Sequence, residues 1–333
     1  MKQKNDKIVI GIGIILLLVT SLIALSMGPF QIPFGDTIKI LFGKTSDIAN
    51  AEIVIMNIRL PRILFSMVAG SGLAIAGVAF QALFANPLAT TDTLGVSNGA
   101  SFGAALGILF HASVFVTQLS AMLFGMIAVA LVYLFSSSKN YGQSKIMIIL
   151  SGIVISSLFF SLVSLVKYVA DPNDVLPVIT FWLMGSFSSI TVTSCIQAIP
   201  MILIGILILY LLRYRFNLLT LQEEEAITLG INIKLLRILV IVSASLITAS
   251  VVSICGVIGW VGLLIPHIAR MLLGNNHVRI VPISLLFGAE FMLCIDTLAR
   301  CLTNAEIPVS ILTAIIGAPV FIMILRKTGG IQI

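Results

Sequence analysis

Charged residues are scarce in this chain of 333 residues, since only 10% are Asp, Glu, Lys or Arg and 59% are hydrophobic. A soluble domain needs more polar surface than this composition provides. The mean hydropathy of +1.16 points the same way. The scarcity of charge therefore excludes an ordinary soluble protein and predicts a membrane protein.

Recognised catalytic and metal-binding motifs are missing as well. The nearest approach to a phosphate-binding loop is Gly43-Lys44-Thr45, but Ile38 stands where that loop requires its first glycine. The three histidines show no HExxH spacing, and no Gly-x-Ser-x-Gly elbow occurs. The four cysteines show no CxxC spacing, which favours packing roles over a disulfide or a metal site. We expect no catalytic residues, no metal site and no nucleotide hydrolysis by this chain alone.

What remains is ten apolar stretches, each about long enough to cross a bilayer as a helix. They lack the alternation of a transmembrane barrel, so we predict an all-α membrane protein with about ten spans in a single transmembrane domain, residues 1–333. The predicted spans are Ile8 to Met27, Ile63 to Phe84, Thr93 to Phe110, Ser113 to Phe135, Ile146 to Val166, Ser194 to Leu212, Leu235 to Cys255, Val257 to Leu273, Ile280 to Arg300 and Pro308 to Leu325.

The distribution of Lys and Arg predicts the topology. Ten spans put both termini on one side, and 13 of the 19 basic residues fall on that side. Both termini are therefore predicted to be cytoplasmic. The net charge of +6 is explained by this bias and requires no nucleic-acid partner.

Two loops are long enough to receive partners. The outer loop covers residues 28–61 and contains an apolar pattern from Pro33 to Phe42 that predicts a short interfacial helix. The inner loop covers residues 213–234 and carries the triplet Glu223-Glu224-Glu225. This triplet suits a solvated helix start, or a contact with a cytoplasmic motor.

Several charges lie where they need an explanation. Arg59 and Arg62 violate the positive-inside bias; they either reach lipid phosphates or Glu52, or they bind an acidic extracytoplasmic partner. Asp296 and Arg300 are four residues apart, which favours an intrahelical ion pair. Glu290 has no such partner. A protonated carboxyl, a polar cavity, a contact with another helix and a proton relay all remain open for it.

Six stretches of this sequence together resemble the FecCD/BtuC-like permease subunits of type II ABC importers, which take up iron-siderophore complexes, haem and cobalamin. The resemblance covers nearly the whole chain. The stretches that carry it are Ile58 to Ala89, Leu94 to Ala104, Phe181 to Ser188, Phe216 to Asn232, Gly256 to Gly274, and IDTLAR with EIPVSILTAIIGAPVFIMIL at Ile295 to Arg300 and Glu306 to Leu325.

The resemblance implies a bacterial, multi-pass protein of the cytoplasmic membrane with a BtuC-like permease fold. It implies a second permease subunit, identical or paralogous, with the translocation path between the two. It also implies two ATP-binding subunits, an extracytoplasmic substrate-binding protein and contact with membrane lipid. No cofactor is expected on this chain, because ATP and Mg would be bound by the partner ATPase.

The resemblance also implies roles for particular residues. Arg59, Arg62 and Arg300 match outer arginines that meet glutamates of the binding protein. A cytoplasmic segment matches the ATPase coupling helices; its residues are Gln222, Glu223, Glu224, Glu225, Ala226, Leu229 and Gly230. Gln222 and Glu225 depart from the family pattern there. Candidates for lining the path are Asn98, Ser156, Ser157, Ser161 and Ser164.

The sequence therefore predicts the permease subunit of an ABC importer for an iron(III)-siderophore or a related metal chelate, without enzymatic activity of its own. Haem and cobalamin are alternative cargos. A proton-coupled secondary transporter that uses Glu290 and Asp296 is the alternative from another class, and inverted internal repeats would favour it.

Overall fold

The computed structural model describes residues 2–136, 145–220, 232–303 and 305–327, and within these ranges the protein is helical, without a strand. We number the main helices α1 to α12 in chain order. They are α1 (Lys2–Ser26), α2 (Phe34–Leu41), α3 (Ala51–Phe84), α4 (Val96–Leu109), α5 (Val114–Ser136), α6 (Lys145–Val169), α7 (Val175–Leu183), α8 (Val192–Leu219), α9 (Ile233–Cys255), α10 (Val261–Leu273), α11 (His277–Cys301) and α12 (Val309–Lys327).

Each of the ten predicted spans falls on one of these helices. Among the described residues seven helices are long and apolar enough to cross a membrane, namely α1, α3, α5, α6, α8, α9 and α11. The apolar parts of α4, α10 and α12 are shorter, at 10–17 residues. The prediction of a helical membrane protein is confirmed, whereas the number of crossings and the side of the termini stay predictions.

The centre of the bundle is formed by α3 and α9, whose apolar windows are each 78% buried. Helix α3 packs against α8, α9, α10 and α11, and α9 also packs against α5. The window of α1 is only 17% buried, and α1 contacts mainly α11. Lipid-facing helices need no polar face, so α1 belongs at the periphery of the chain.

Close packing of α4 against α5 follows from glycines spaced four residues apart. A β-carbon at Gly103 would lie 2.3 Å from the carbonyl oxygen of Ser120, and one at Gly99 would lie 2.6 Å from that of Phe124. The missing side chains let the two backbones approach, as expected for small residues at a membrane helix interface. The glycine ladder therefore has a packing role.

Three helix boundaries differ from the sequence-based expectation. Helix α3 begins at Ala51, within the predicted loop 28–61, because Val54–Arg59 form π-helical turns that continue into the span. The predicted interfacial helix in that loop is present as α2, with Thr37 and Ile40 buried. Helix α8 continues to Leu219, so Arg213 and Arg215 lie in helix rather than in the predicted loop 213–234.

The third difference is at α10, which begins at Val261 because residues 256–260 are not helical. The backbone of this segment meets the loop after α7: Ser186 N donates to Cys255 O at 2.8 Å. A β-carbon at Gly256, whose φ is +72°, would lie 2.1 Å from Trp182 O. Glycine therefore allows both the turn and the contact. Non-helical backbone at this depth is compatible with a membrane because protein covers it.

Candidate functional site

Charged side chains gather at one end of the bundle, where α1 and α11 end and α3 begins. We call this the outer end, because the distribution of Lys and Arg predicts that it faces away from the cytoplasm. The group comprises Arg59, Arg62, Asp296, Arg300 and Glu306, and we call it the outer cluster. Its three arginines come from positions 59, 62 and 300, which the sequence assigned to docking.

Arg62 is the centre of the outer cluster. Its Nε donates to Asp296 Oδ1 at 2.8 Å. Its Nη1 and Nη2 donate to the two carboxylate oxygens of Glu306 at 2.8 and 2.9 Å. Such a two-pronged contact matches the planar guanidinium to the planar carboxylate.

Asp296 lies between two cations. Besides Arg62, Arg300 Nε is 3.4 Å from Asp296 Oδ2, so the predicted ion pair between Asp296 and Arg300 is confirmed. Asp296 is fully buried, and Arg300 is 4% exposed. A carboxylate at such a position needs compensating charge, which the two guanidinium groups supply.

Arg59 and Arg300 also close the end of α1. Arg59 Nη1 donates to Leu25 O at 2.7 Å and to Ser26 O at 3.0 Å, and Arg300 Nη2 donates to Ala24 O at 2.9 Å. The last carbonyls of a helix have no partner within the helix and carry partial negative charge. The two arginines satisfy both the hydrogen bonding and the charge of this helix end.

The outer arginines are therefore less accessible than the sequence suggested. Arg59 and Arg62 are 4% and 5% exposed, and their partners are Leu25, Ser26, Phe30, Asp296 and Glu306. Neither of the two simpler interpretations, lipid phosphate or Glu52, describes these contacts. The positive-inside rule concerns exposed charges, whereas these side chains fold back into the bundle.

An outer cavity adjoins the cluster. It has a volume of about 790 Å³, and Arg300 lines it together with Ser26, Gly28, Gln31 and Thr303. Polar groups and one guanidinium therefore border the space that an extracytoplasmic partner would meet first.

The predicted path residues divide into two sets. Asn98 Nδ2 of α4 donates to Ser156 Oγ of α6 at 2.6 Å, so these two side chains join neighbouring helices. Ser157, Ser161 and Ser164 are exposed on α6, and each hydroxyl donates to the carbonyl four residues earlier in the same helix. The second set leaves weakly polar oxygens on an open face of α6.

Glu290 lies at the middle of α11 and contacts α1. Thr20 Oγ1 donates to Glu290 Oε2 at 2.9 Å, and Cys294 Sγ is 3.6 Å from Glu290 Oε1. Of the four alternatives left open by the sequence, this geometry supports the contact with another helix.

The predicted coupling residues Gln222, Glu223, Glu224, Glu225, Ala226, Leu229 and Gly230 lie outside the described residues. The helices on either side of this segment are described. Near them Asn217 Oδ1 of α8 is 2.8 Å from His277 Nδ1 of α11, and Gln81 of α3 accepts from Arg270 of α10. These contacts link four helices at the cytoplasmic end.

Sequence reasoning missed Glu306, Gln81, Asn217 and His277. Glu306 had a usable signal, because it is one of few acidic residues on the side where Arg59 and Arg62 lacked partners. The other three pair across 59 or more residues of sequence, and no local spacing indicates such contacts.

Comparison with known proteins gives this geometry a family. The model of the FecCD transport family matches residues 16–327. The chain belongs to the FecCD transport family. It is 43% identical over 324 residues to the molybdate import permease MolB of Haemophilus influenzae, covering 96% of each chain. It is 35% identical to an iron chelatin transport permease of Helicobacter pylori, described as probable, over 87% of each chain.

A solved structure agrees with both the family and the fold. An ABC transporter of the metal-chelate type in an inward-facing conformation superposes with a TM-score of 0.87 at 42% identity, covering 96% of this chain and 99% of that one. The protein is therefore an ABC importer permease of the FecCD/BtuC type and a multi-pass membrane protein, and it is not itself an enzyme.

Proposed function

We propose that this permease forms its translocation path with a second permease subunit, identical or paralogous, and works with two ATP-binding subunits and an extracytoplasmic binding protein. ATP and Mg would be bound by the ATPase, and this chain would need no cofactor. Exposed apolar side chains on α1, α5, α6 and α8 would face lipid or the second permease. Alternating access, driven by ATP in the partner, would open the path to one side at a time.

The outer cluster is proposed as the docking site for the binding protein. Arg59, Arg62 and Arg300 lie at the outer end, and Arg300 borders the outer cavity. The outer cluster has one more cation than carboxylates, so its charge favours an acidic partner.

The segment from Gln222 to Gly230 is proposed to couple the permease to the ATPase. It connects α8 and α9, and the conserved chemistry of a motor contact would rest on Glu223 and Glu224. Glu223→Lys with Glu224→Lys should release the ATPase while the permease stays in the membrane, because repulsion replaces attraction. Normal co-purification and normal transport by this variant would contradict the assignment.

The open face of α6 is proposed to line the path. Ser157, Ser161 and Ser164 present hydroxyl oxygens there, and Asn98 and Ser156 lie behind them. Such a surface is weakly polar and uncharged, so cargo selection would depend mainly on the binding protein.

Two cargos have specific support. The observation that favours molybdate is the 43% identity to the molybdate permease over nearly the full length. The iron(III)-siderophore expected from the sequence is supported by the 35% identity to the iron chelatin permease. We propose molybdate as the first cargo to test, because the identity is higher and covers more of the chain.

Uptake by proteoliposomes decides between them. The permease would be reconstituted with its ATPase and binding protein, supplied with molybdate or an iron(III)-siderophore, and the metal inside measured by mass spectrometry. ATP-dependent accumulation of molybdenum supports the first proposal. Accumulation of iron without molybdenum would replace it with the second.

A further inference from the structure

Glu306 occupies the part of Arg62 that a docking partner would need. Both terminal nitrogens of Arg62 donate to the Glu306 carboxylate, at 2.8 and 2.9 Å, while its Nε is held by Asp296. An acidic side chain of a binding protein would approach the same edge of the guanidinium, because that edge offers two parallel donors. The two carboxylates would therefore compete.

The two internal carboxylates of the outer cluster are not equivalent. The side chain of Asp296 is 0% exposed, whereas that of Glu306 is 32% exposed. Removing Asp296 from Arg62 would leave a buried charge without compensation. Glu306 can turn toward water at small cost, since a partly exposed ion pair is weak. Glu306 is therefore the partner of Arg62 that can exchange.

We propose that Glu306 is an internal stand-in for the carboxylate of the binding protein: it holds Arg62 while the permease is free and leaves when the partner docks. This inference rests on the docking role proposed for the outer cluster. Exchange of one carboxylate for another keeps the charge of the outer cluster balanced in both states. Arg62 thus remains paired throughout, and the partner must displace Glu306 to bind.

The position of Glu306 gives the exchange a structural consequence. It lies two residues before Pro308, in the short connection from α11 to α12. The start of α12 is tied to the loop after α7, where Val309 N donates to Gly185 O at 2.9 Å. Release of Glu306 removes one of the contacts that fix this connection, so docking acts directly on the entry to α12.

The test is a titration of the permease–ATPase complex in nanodiscs with its binding protein at low salt. Glu306→Gln removes the competing charge and keeps the side-chain size. A protein whose binding-competent form is only partly populated binds with reduced apparent affinity. We expect Glu306→Gln to bind the partner about three to ten times more tightly than wild type, a change in Kd of the size that one partly exposed ion pair provides.

Two further variants provide controls. Glu52→Gln removes an exposed carboxylate from the first turn of α3, outside the outer cluster, and should bind like wild type. Arg62→Gln should weaken binding, and adding Glu306→Gln to it should bring no gain, because the two residues act through one contact.

The outcomes separate this inference from the docking proposal. If Arg62→Gln weakens binding but folded Glu306→Gln binds no more tightly than wild type, the stand-in role is wrong and docking stands. If Arg62→Gln binds like wild type, both are wrong. Should Glu306→Gln fail to fold, Glu306→Asp keeps the charge but is too short for the two-pronged contact. It should then bind about two to three times more tightly than wild type, and unchanged or weaker binding would overturn the stand-in role.

Discussion

Asp296 and Glu290 lie six residues apart on α11, and their surroundings differ in kind. Asp296 is fully buried between two guanidinium groups, at 2.8 and 3.4 Å. Glu290 is half-buried at the middle of the helix, and its recorded partners are a hydroxyl and a thiol. The first acidic residue anchors an ionic network, whereas the second joins two helices through a hydrogen bond.

The comparison shows what decides the role of an acidic residue in this bundle. Asp296 holds charges from α3 and α11 together, so its loss affects several helices. Glu290 contacts α1, which is peripheral and mostly exposed. Hydrogen bonds between membrane helices contribute modestly, because each helix finds other partners when they separate. Substitutions at the two positions should therefore differ widely in cost.

The largest expected effect is that of Asp296→Asn. It leaves Arg62 and Arg300 buried with one carboxylate fewer, and breaking a buried network costs about 3–5 kcal/mol. We expect a large loss in the free energy of unfolding, measured by denaturant titration in bicelles. Glu290→Gln is the matched control on the same helix. An Asp296→Asn protein as stable as this control would show that the network is not a structural anchor.

Arg59 sharpens the comparison, because its charge is satisfied by carbonyl oxygens rather than by a carboxylate. Arg59→Gln should cost about 2 kcal/mol, since it removes charged hydrogen bonds from the end of α1. Lys39→Gln is the control, because Lys39 is an exposed cation on the same side whose partner is Asp36. Equal unfolding free energies for the two variants would contradict the capping role of Arg59.

The smallest expected effect concerns Glu290. Glu290→Gln can still accept the hydrogen bond from Thr20, whereas Glu290→Leu cannot. We expect Glu290→Leu to lose about 1 kcal/mol and Glu290→Gln less, with α1 loosened first. Protease access near the end of α1 measures this loosening. The same loss should appear in Thr20→Val, and stability of Glu290→Leu equal to wild type would remove any role for the hydrogen bond.

Much of this arrangement was predictable from local spacing. The apolar runs predict the helices, the glycine ladder predicts the contact of α4 with α5, and the four-residue spacing predicts the pairing of Asp296 with Arg300. These signals are contained within one helix turn or one helix face. The π-helical start of α3 has no such signal, because its polar residues resemble a loop.

The rest depends on contacts between distant parts of the chain. Arg62 pairs with Asp296 and Glu306 across more than 230 residues. The sequence predicted an unusual position for Arg62 but left its partner open. Its burial follows from how α3 and α11 pack together, and a single sequence does not contain that information.

ATP dependence of uptake tests the central claim most directly, namely that this chain is the membrane part of an ATP-driven importer. Proteoliposomes containing the permease and its ATPase would receive binding protein and cargo outside and ATP at the ATPase, with or without a proton uncoupler. We predict cargo accumulation that requires a hydrolysis-competent ATPase and is unchanged by the uncoupler. Accumulation that persists with an inactive ATPase and collapses with the uncoupler would contradict the account and favour the proton-coupled alternative.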